Sequence, residues 1–475
     1  MRTPYFCIDE QKLRQNGEIL RAVAKEAGCK ILLAQKAYSV YQTYPLLEEY
    51  LSGTAASGVY EAKLGREHFR GEVHAFSPAF REEDVRELVK LCDHIVFNTP
   101  AQVKKYAPLC REAGVSVGLR VNPECSTQEG HAIYDPCAPG SRLGTTAENF
   151  DEGILPLLDG LHFHTLCEQD ADALEQTADA FRQKFGKYAG KMRWLNLGGG
   201  HHITRRGYDT ERLCRVVRGL RQDFGADIYL EPGEAVVLDA GTLHTRVLEV
   251  MRNSIDIAVL DASAACHMPD VLEMPYRPPL FGSGQPGEKA HTYRLAGPTC
   301  LAGDVIGDYS FDAPLQEGDE LVFGDMALYT MVKTNTFNGM PLPAICLRRQ
   351  GGSLQVRRDF GYEHFKPRLY RAKGIANIGR HPAPNGAGCV LLFKSVGSLF
   401  LQPFELFFRG DDGLAVRIQK RGDARRVPRI AKQILDARVA VCPNLKPLQR
   451  SLRIDLDKAL RLCHAIFLLF RLFSV

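Results

Sequence analysis

Residues 30–37 of the chain read KILLAQKA, a short and mainly apolar run with Lys36 near its end. Seven further short segments bounded by turn residues follow before residue 233: 53–57 (GTAAS), 72–78 (EVHAFSP), 94–98 (HIVFN), 116–122 (SVGLRVN), 159–165 (DGLHFHT), 193–199 (RWLNLGG) and 227–232 (DIYLEP). The stretches between them are long enough for helices, and residues 82–91 and 171–185 have helical periodicity. Eight alternating strands and helices over about 200 residues predict a (β/α)8 barrel.

Polar residues are distributed unevenly within these eight segments. The first halves are apolar, whereas the ends carry polar residues or glycine, namely Lys36, Ser57, Ser77, Asn98, Arg120 with Asn122, His164, Gly198–Gly200 and Glu231. In a barrel of this kind the carboxyl ends of the strands form the rim that holds the active site. Any one polar strand end is readily explained by solvation, but eight together predict an active site at that rim.

Strands without regular helices are predicted from about residue 242 onward. They are 244–251, 255–260, 292–295, 320–323, 344–348 and 354–357, and turn signals such as EGD and QGG separate them. We therefore expect the barrel in residues 1–241 and an all-β domain in residues 242–370. The first strand of the chain is expected to join the β domain.

The C-terminal region differs from the rest of the chain in charge. Residues 371–475 carry 19 Lys and Arg against 7 Asp and Glu, which leaves 41 and 49 for residues 1–370. An acidic body suits a cationic small molecule better than nucleic acid. The apolar stretches 391–408 and 459–473 are too short or interrupted to predict a membrane span. This basic tail is either an added interaction module or a fusion or reading-frame product without a function.

The composition is that of a large globular protein. Of 475 residues, 45% are hydrophobic and 24% are charged, which is ample for a sizeable core. The 14 cysteines include no pair at CxxC spacing, so neither a zinc module nor a disulfide scaffold is expected, and no metal is predicted. Pro4, Asp9, Glu10 and Lys12 interrupt any apolar leader near the start, and a cytoplasmic protein is expected.

Three features of the predicted rim suit one cofactor. Lys36 follows a buried strand, where loss of hydration lowers the pKa of an amine; it is either a Schiff-base lysine or a chain that only reaches out to solvent. Gly198–Gly200 follow another strand at the place where such barrels often hold phosphate, although glycine triplets also occur in ordinary loops. Glu231 follows the last strand. A lysine, a phosphate loop and an acid for a ring nitrogen are the anchors of pyridoxal phosphate.

The order and spacing of several motifs resemble the fold-type III pyridoxal-phosphate decarboxylases, and within them the branch that acts on carboxylated polyamines. The motifs are ILLAQKAYS with Lys36, ASGVYEAKLG with Glu61, Ser141-Arg142-Leu143-Gly144, LHFHTLCE with His164, LNLGGGHH, YLEPGEA, GPTCLAGD with Cys300 and LYTMVKTNTFNG with Tyr329. The resemblance covers residues 3–368. It implies an alanine-racemase-like barrel followed by a β domain, and decarboxylation of carboxynorspermidine or carboxyspermidine.

The resemblance also implies a role for each candidate residue. Lys36 would hold the cofactor, His164 would stack on its ring, and Glu231 would pair with the ring nitrogen. The phosphate would be held by Gly198, Gly199, Gly200 and Tyr329, and Gly233 would be a further cofactor-binding residue. Cys300 would protonate the carbanion in the site of the other subunit, which implies a homodimer with shared active sites.

One departure from the ornithine-type members concerns the substrate. They carry arginine after the EPG motif, where this chain has Glu234. Because a carboxylate repels phosphate and attracts ammonium, Glu234 is expected to face the polyamine arm of a small cationic substrate, with Asp270 as the second candidate. The alternatives are a decarboxylase of another diamino acid such as diaminopimelate, which Glu234 disfavours, and a silent cofactor-binding regulator, which the intact set of candidate catalytic residues disfavours.

Overall fold

A computed structural model of the chain describes residues 2–128 and 132–369, and the backbone of residues 380–382, 389–392, 405–409 and 413–417. The chain divides into two compact units, Met1–Pro367 and Arg368–Val475. The division lies close to the boundary at which the charge of the sequence changes.

Eight parallel strands close into a barrel in chain order: β2 (Lys30–Ala34), β3 (Gly53–Ala56), β4 (Glu72–Phe76), β5 (His94–Phe97), β6 (Ser116–Arg120), β7 (Gly160–His162), β8 (Trp194–Asn196) and β9 (Asp227–Leu230). Each strand lies within one of the eight predicted segments, so the predicted barrel is confirmed. The strands are shorter than the segments because the polar ends belong to the loops at the rim.

Helices occupy most of the connections between these strands. They are α2 (Tyr44–Leu47), α3 (Val59–His68), α4 (Glu82–Leu88), α5 (Pro100–Glu112), α6 (Ala171–Ala189) and α7 (Thr210–Phe224). Helix α1 (Glu10–Ala27) precedes β2, and α8 (Glu234–Val237) follows β9. Short 3-10 helices lie at Tyr41–Thr43 and, between β6 and β7, at Ala132–Tyr134 and Glu152–Leu157.

The ends of α1 illustrate how the local sequence determines a helix. The Asp9 carboxylate accepts hydrogen bonds from the backbone N–H groups of Gln11 and Lys12, which would otherwise lack partners. The helix stops at Gly28, whose φ of 67° belongs to the left-handed region that favours glycine. Leu13 and Leu20 lie on the buried face of the helix between these caps.

The amino-terminal end of the barrel contains a partly buried polar network. The Lys30 ammonium lies 2.6 Å from Glu72 Oε1 and donates to Tyr229 at 3.0 Å. The other oxygen of Glu72 lies 2.9 Å from His74 Nε2. The His74 ring stacks on His94 with 4.0 Å between ring centroids. This end of the barrel is therefore held by charge and stacking as well as by apolar packing.

The second domain of the first unit is a sheet of eight strands. It contains β1 (Tyr5–Asp9), β10 (Gly241–Asn253), β11 (Ile255–Leu260), β12 (His291–Ala296), β13 (Val305–Phe311), β14 (Glu320–Gly324), β15 (Ala344–Arg348) and β16 (Leu354–Arg358). The short helices here are α9 (Ala264–His267), α10 (Asp270–Glu273) and α11 (Thr330–Lys333), followed by the 3-10 turn Phe337–Gly339 and by α12 (Tyr362–Leu369). The predicted β domain is confirmed, although β13 was not predicted.

The first strand of the chain lies in this sheet and not in the barrel. It pairs antiparallel with β10 and parallel with β15. Because α1 follows β1 directly and leads into β2, the two domains are joined at both ends of the barrel sequence.

The second unit contains a four-stranded antiparallel sheet in the part that the structure describes. Its strands are β17 (Arg380–Pro382), β18 (Cys389–Leu392), β19 (Glu405–Arg409) and β20 (Gly413–Arg417), in that order across the sheet. The apolar stretch 391–408 is described only at its two ends, and residues 459–473 lie outside the described residues. None of the helices within the described ranges is both long and apolar enough to cross a membrane.

Candidate active site

Lys36 lies in the turn that follows β2, and its side chain reaches solvent through the barrel rim. Burial by the surrounding protein, together with the Arg120 guanidinium, lowers the pKa of the Lys36 amine. The carboxylates of Glu231 and Glu61 act in the opposite direction. The Glu61 carboxylate is held by the backbone N–H of Ser57 at 2.6 Å. A lysine in this setting keeps a larger uncharged fraction than an ordinary surface lysine, as a nucleophilic amine requires.

Gly198, Gly199 and Gly200 follow β8 in a conformation that other residues could not adopt. Gly198 and Gly200 have φ of 71° and 82°. A Cβ on Gly199 would lie 2.2 Å from the Glu231 carbonyl oxygen, and one on Gly200 would lie 2.0 Å from the Leu166 carbonyl oxygen. The three glycines therefore allow the backbone to run close to the ends of β7 and β9.

Glu231 lies beside this loop at the end of β9. Its backbone N–H donates to the Gly198 carbonyl at 2.7 Å. The side-chain amide of Asn196 donates from its nitrogen to Glu231 Oε1 at 2.7 Å, and its oxygen Oδ1 accepts the Gly198 N–H at 2.9 Å. The other oxygen, Oε2, lies 3.6 Å from Nε2 of His162. Burial raises the pKa of Glu231, but His162 and Asn196 outweigh it and lower the pKa to about 2. This carboxylate is thus an anion.

His164 connects the strand β7 to the glycine loop. Its Nδ1 accepts a hydrogen bond from the Gly199 N–H at 3.0 Å, so the ring proton of the neutral imidazole is on Nε2. Burial, followed by the charges of Lys36 and Arg120, lowers the pKa of His164 well below its ordinary value. Arg120 donates from Nη2 to the His164 carbonyl at 2.9 Å. His164 is therefore neutral and fixed in orientation.

Tyr329 and Gly233 approach the turn that carries Lys36. The Tyr329 N–H donates to the carbonyl of Ala37 at 2.8 Å, and its φ of 45° is rare for a tyrosine. A Cβ on Gly233 would lie 2.5 Å from that of Ala37. Gly233 thus permits close packing of β9 against the Lys36 turn. The structure brings Lys36, His164, the glycine loop, Glu231 and these two residues to one rim.

The candidate substrate carboxylates already have partners. Glu234 Oε2 lies 2.7 Å from Nε2 of His202. Asp270 forms a short ion pair with Lys333, whose ammonium also lies 2.7 Å from Glu273. Burial, then Glu234, raises the pKa of Tyr329, and Asp270 acts in the same direction, which places both carboxylates in the electrostatic environment of the rim.

Cys300 is exposed on the loop between β12 and β13. Asp304 anchors this loop, because its carboxylate accepts hydrogen bonds from the hydroxyls of Ser263 at 2.9 Å and Thr299 at 2.6 Å. In the described part of the chain, no contact joins Cys300 to Lys36. No hydrogen bond among the described residues ties this exposed thiol to the rim residues of its own chain.

Several residues of the rim were not singled out from the sequence. His162, His202 and Lys333 each touch a predicted site residue. His162 had a usable signal, because it lies two positions before His164 in LHFHT and alternate residues of a strand share one face. His202 and Lys333 had none, since their partners lie 32 and 63 positions away.

Two groups of side chains among the described residues have ligand atoms within 4.8 Å of one another: Glu72, His74 and His94 at the amino-terminal end, and His162, His164 and Glu231 at the rim. In the first group the Lys30 ammonium already takes the position of a cation beside Glu72. In the second, Nδ1 of His164 is used by the glycine loop. Both are explained by contacts within the protein.

The chain is similar to known proteins over this whole region. A family model described as pyridoxal-dependent decarboxylase, C-terminal sheet domain, matches residues 19–327. The carboxynorspermidine/carboxyspermidine decarboxylase of Campylobacter jejuni is 41% identical over 379 residues, which is 78% of this chain and 98% of that protein. The carboxyaminopropylagmatine decarboxylase of a Synechocystis species is 40% identical, over 77% of this chain and 95% of that protein.

A solved structure agrees with these relatives. The crystal structure of carboxynorspermidine decarboxylase from Campylobacter jejuni, complexed with norspermidine, superposes with a TM-score of 0.73 at 41% identity. The match covers 78% of this chain and 100% of that chain.

The fold, the site and these similarities together define the class: the chain belongs to the pyridoxal-dependent decarboxylases. Within that class, it belongs to the family of the carboxynorspermidine/carboxyspermidine decarboxylases. The sequence-based prediction of a carboxy-lyase is confirmed.

Proposed function

We propose that this chain decarboxylates carboxynorspermidine or carboxyspermidine with pyridoxal phosphate held at the barrel rim. The observation that carries the proposal is the meeting of Lys36, a three-glycine loop and the ionised Glu231 at one mouth of the barrel. These are the three anchors that pyridoxal phosphate needs. The similarity to named polyamine decarboxylases supports the same assignment.

The residues at the rim fit this cofactor. Side chains on Gly199 or Gly200 would collide with backbone of the neighbouring strands, so the loop can only be glycine and leaves its backbone N–H groups open to a phosphate. Tyr329, whose backbone is tied to the Lys36 turn, would add a hydroxyl, and Gly233 keeps that turn close to β9. A phosphate between these groups would lie within reach of Lys36.

Pyridoxal phosphate, when bound, supplies the electron sink for the charge left on the substrate carbon after CO2 departs. Lys36 provides the amine that attaches the cofactor. His164, neutral and fixed by the Gly199 N–H, presents a flat ring to the cofactor face. Glu231 holds a negative charge for the ring nitrogen, which favours the protonated ring.

We assign the returning proton to Cys300 of a second copy of the chain. The thiol is exposed on a loop that Asp304 holds in place, as a group serving another subunit would be. A thiol that gives its proton to the substrate carbon replaces the lost carboxylate by hydrogen, which balances the reaction. A homodimer with shared sites follows from this assignment.

The polyamine arm is assigned to Glu234, with Asp270 as the second candidate. Glu234 opens α8 three residues after Glu231, so it lines the same cleft. Its Oε2 pairs with His202, and the other oxygen remains available for an ammonium group. Asp270 is already neutralised by Lys333. A substrate with a distal carboxylate, such as diaminopimelate, would meet repulsion from Glu234.

Action in a reducing compartment such as the cytoplasm is part of the proposal. The eleven cysteines among the described residues up to 369 are free thiols. Structural disulfides would be expected in an oxidising compartment.

The decisive experiment offers several substrates to the purified protein with pyridoxal phosphate and measures CO2 and amine product. Carboxynorspermidine, carboxyspermidine, carboxyaminopropylagmatine and meso-diaminopimelate are compared at equal concentration. Preference for either of the first two supports the proposal. Preference for carboxyaminopropylagmatine, with its guanidinium end, would move the chain to the specificity of the Synechocystis relative. Turnover of diaminopimelate alone, or of none, would overturn the proposal.

A further inference from the structure

His162 is a buried histidine whose position the proposed roles leave unexplained. It ends β7, is 1% exposed, and faces the interior of the barrel. Neither of its ring nitrogens has a hydrogen-bond partner among the described residues. A buried polar group without a partner costs about 1–3 kcal/mol, and such groups in native proteins usually serve a purpose.

The nearest polar atom with a charge is Oε2 of Glu231, 3.6 Å from His162 Nε2. This is slightly longer than a hydrogen bond, and a small movement would close it. The opposite oxygen of Glu231 is already fixed by Asn196 at 2.7 Å. His162 therefore approaches the oxygen that remains open to a ligand.

Asn196, which holds Glu231, is also the neighbour of His162 across the barrel sheet. His162 pairs in register with Arg120 on β6 and with Asn196 on β8. The Phe76 ring lies 5.5 Å from the His162 ring and closes the other side. The charged or titratable groups that act on the His162–Glu231 pair from the surrounding elements are Arg120, Lys36, His74 and His164.

The geometry points to His162 as a positioning residue for Glu231: a neutral imidazole that directs its Nε2–H to Oε2, keeps the carboxylate ionised and aims it at the ring nitrogen of the cofactor. The inference rests on the proposed role of Glu231. His162 touches neither substrate nor reacting atoms in this scheme. It acts only through the carboxylate.

The protonation of both groups agrees with this role. Burial is the largest influence on His162 and lowers the pKa of its ring, although Glu231 acts in the opposite direction. A neutral ring carries one N–H, which is enough for one donated hydrogen bond. An imidazolium would instead compete with the cofactor's ring nitrogen for the same negative charge.

The test compares His162→Leu, which removes the donor, with His162→Gln, which keeps an N–H donor in a neutral side chain. The first readout is the dissociation constant of pyridoxal phosphate between pH 5 and 8, followed by cofactor absorbance. We expect His162→Leu to weaken binding about 10-fold at pH 7 and to raise the pH below which the cofactor is lost. His162→Gln should restore most of both effects. If His162→Leu does not fold, His162→Met replaces it.

The second readout is the carboxyl infrared band of the cofactor-free protein, which reports protonation of Glu231 directly. Glu231→Gln identifies the band. In His162→Leu, the band of the protonated acid should appear at higher pH than in the unchanged protein. This readout does not depend on the cofactor or on turnover.

His94→Leu is the matched control, because His94 is also a partly buried imidazole inside the barrel but lies at the opposite end. It should change neither readout. The inference is overturned if His162→Leu behaves like His94→Leu, or if His162→Gln is as defective as His162→Leu. If Glu231→Gln binds the cofactor as well as the unchanged protein, the proposed role of Glu231 fails instead, and the infrared result still decides whether His162 controls its charge.

Discussion

At the level of single residues, Lys36 is open to solvent at the rim and yet has a lowered pKa. Its side chain reaches solvent through the rim, yet burial lowers the pKa of its amine. Reduction of the cofactor-loaded protein with borohydride should fix the pyridoxyl group on Lys36, because this lysine has a lowered pKa and lies in the electrostatic environment of Glu231. Peptide mapping by mass spectrometry locates the label.

The control is Lys30, which begins β2, the strand that Lys36 follows, and is paired with Glu72 at the other end of the barrel. Lys30→Met should keep the label, whereas Lys36→Ala should lose it together with the yellow colour. A label on any lysine other than Lys36 would refute the assignment of the site.

Glu234 and Asp270 can be distinguished by matched neutral substitutions. Glu234→Gln keeps the size of the side chain and removes its charge. A charge-assisted hydrogen bond contributes about 1.5–3 kcal/mol, so we expect kcat/KM to fall about 10-fold to 150-fold while cofactor absorbance stays unchanged. Asp270→Asn should have a smaller effect, since Lys333 already neutralises Asp270.

His202→Gln controls for loss of the Glu234 partner and should change kcat/KM less than Glu234→Gln does. If Glu234→Gln weakens cofactor binding but spares kcat/KM at saturating cofactor, Glu234 belongs to the cofactor site. If Asp270→Asn is the more damaging change, the order of the two candidates is reversed.

Sequence alone identified the residues of the rim that end apolar strands, such as Lys36 and Glu231. The chemistry of these types is unusual at a buried strand end, so each one carries its own signal. The sequence did not reveal that Glu234 pairs with His202 or that Asp270 pairs with Lys333, because those contacts depend on how distant loops meet. The pairing changes the interpretation of both carboxylates, from free groups to groups with a partner already in place.

At the level of elements, the polar network inside the amino-terminal end of the barrel makes its stability depend on pH. Burial, followed by the neighbouring His74, lowers the pKa of His94 to about 3. A histidine in the unfolded chain takes up its proton near pH 6.5. The unfolded state therefore binds more protons below about pH 6.5, and this contribution to stability is lost as the pH falls towards about 3.

We expect His94→Leu to reduce the loss of unfolding free energy between pH 7 and pH 4 by about 3 kcal/mol. Urea unfolding at the two pH values measures it. His68→Leu is the control, because His68 is exposed and should leave the pH dependence unchanged. An unaltered pH dependence in His94→Leu would show that His94 is protonated in the folded barrel.

The elements themselves were predictable to different degrees. All eight barrel strands were found because parallel strands buried on both faces are short apolar runs between turn residues. Strand β13 (VIGDYSF) was missed because Gly307 and Asp308 interrupt its apolar pattern. The pairing of β1 with β10 and β15 joins residues more than 230 positions apart. Periodicity cannot report these partners, although the first strand was expected to join the β domain.

At the level of the whole molecule, the second unit lies outside the region shared with relatives. The Campylobacter relative is matched over 98% of its length by only 78% of this chain. Every residue assigned to the site precedes Pro367, where the first unit ends. Deletion of residues 371–475 should therefore leave kcat and KM within about 2-fold.

The truncated protein must first be shown, by sedimentation and circular dichroism, to be folded and to have the same oligomeric state as the full chain. A large loss of turnover in such a protein would mean that the second unit contributes to the site. A loss of solubility with turnover intact would instead indicate that residues 371–475 help to keep the protein soluble.

The assembly decides whether the proposed site is complete in one chain. Cys300 is exposed and, among the described residues, makes no hydrogen bond with Lys36 of its own chain, and the proposed mechanism takes the thiol at the rim from a second copy. Lys36→Ala and Cys300→Ala should each be inactive alone. After subunit exchange of equal amounts, half of the dimers are hybrids and each hybrid has one intact site, so about a quarter of the activity should return.

Lys36→Ala exchanged with Lys36→Ala should recover nothing. If exchange is verified by mass-tagged subunits and activity still does not return, both residues act within one chain and the loop that carries Cys300 must close over its own rim.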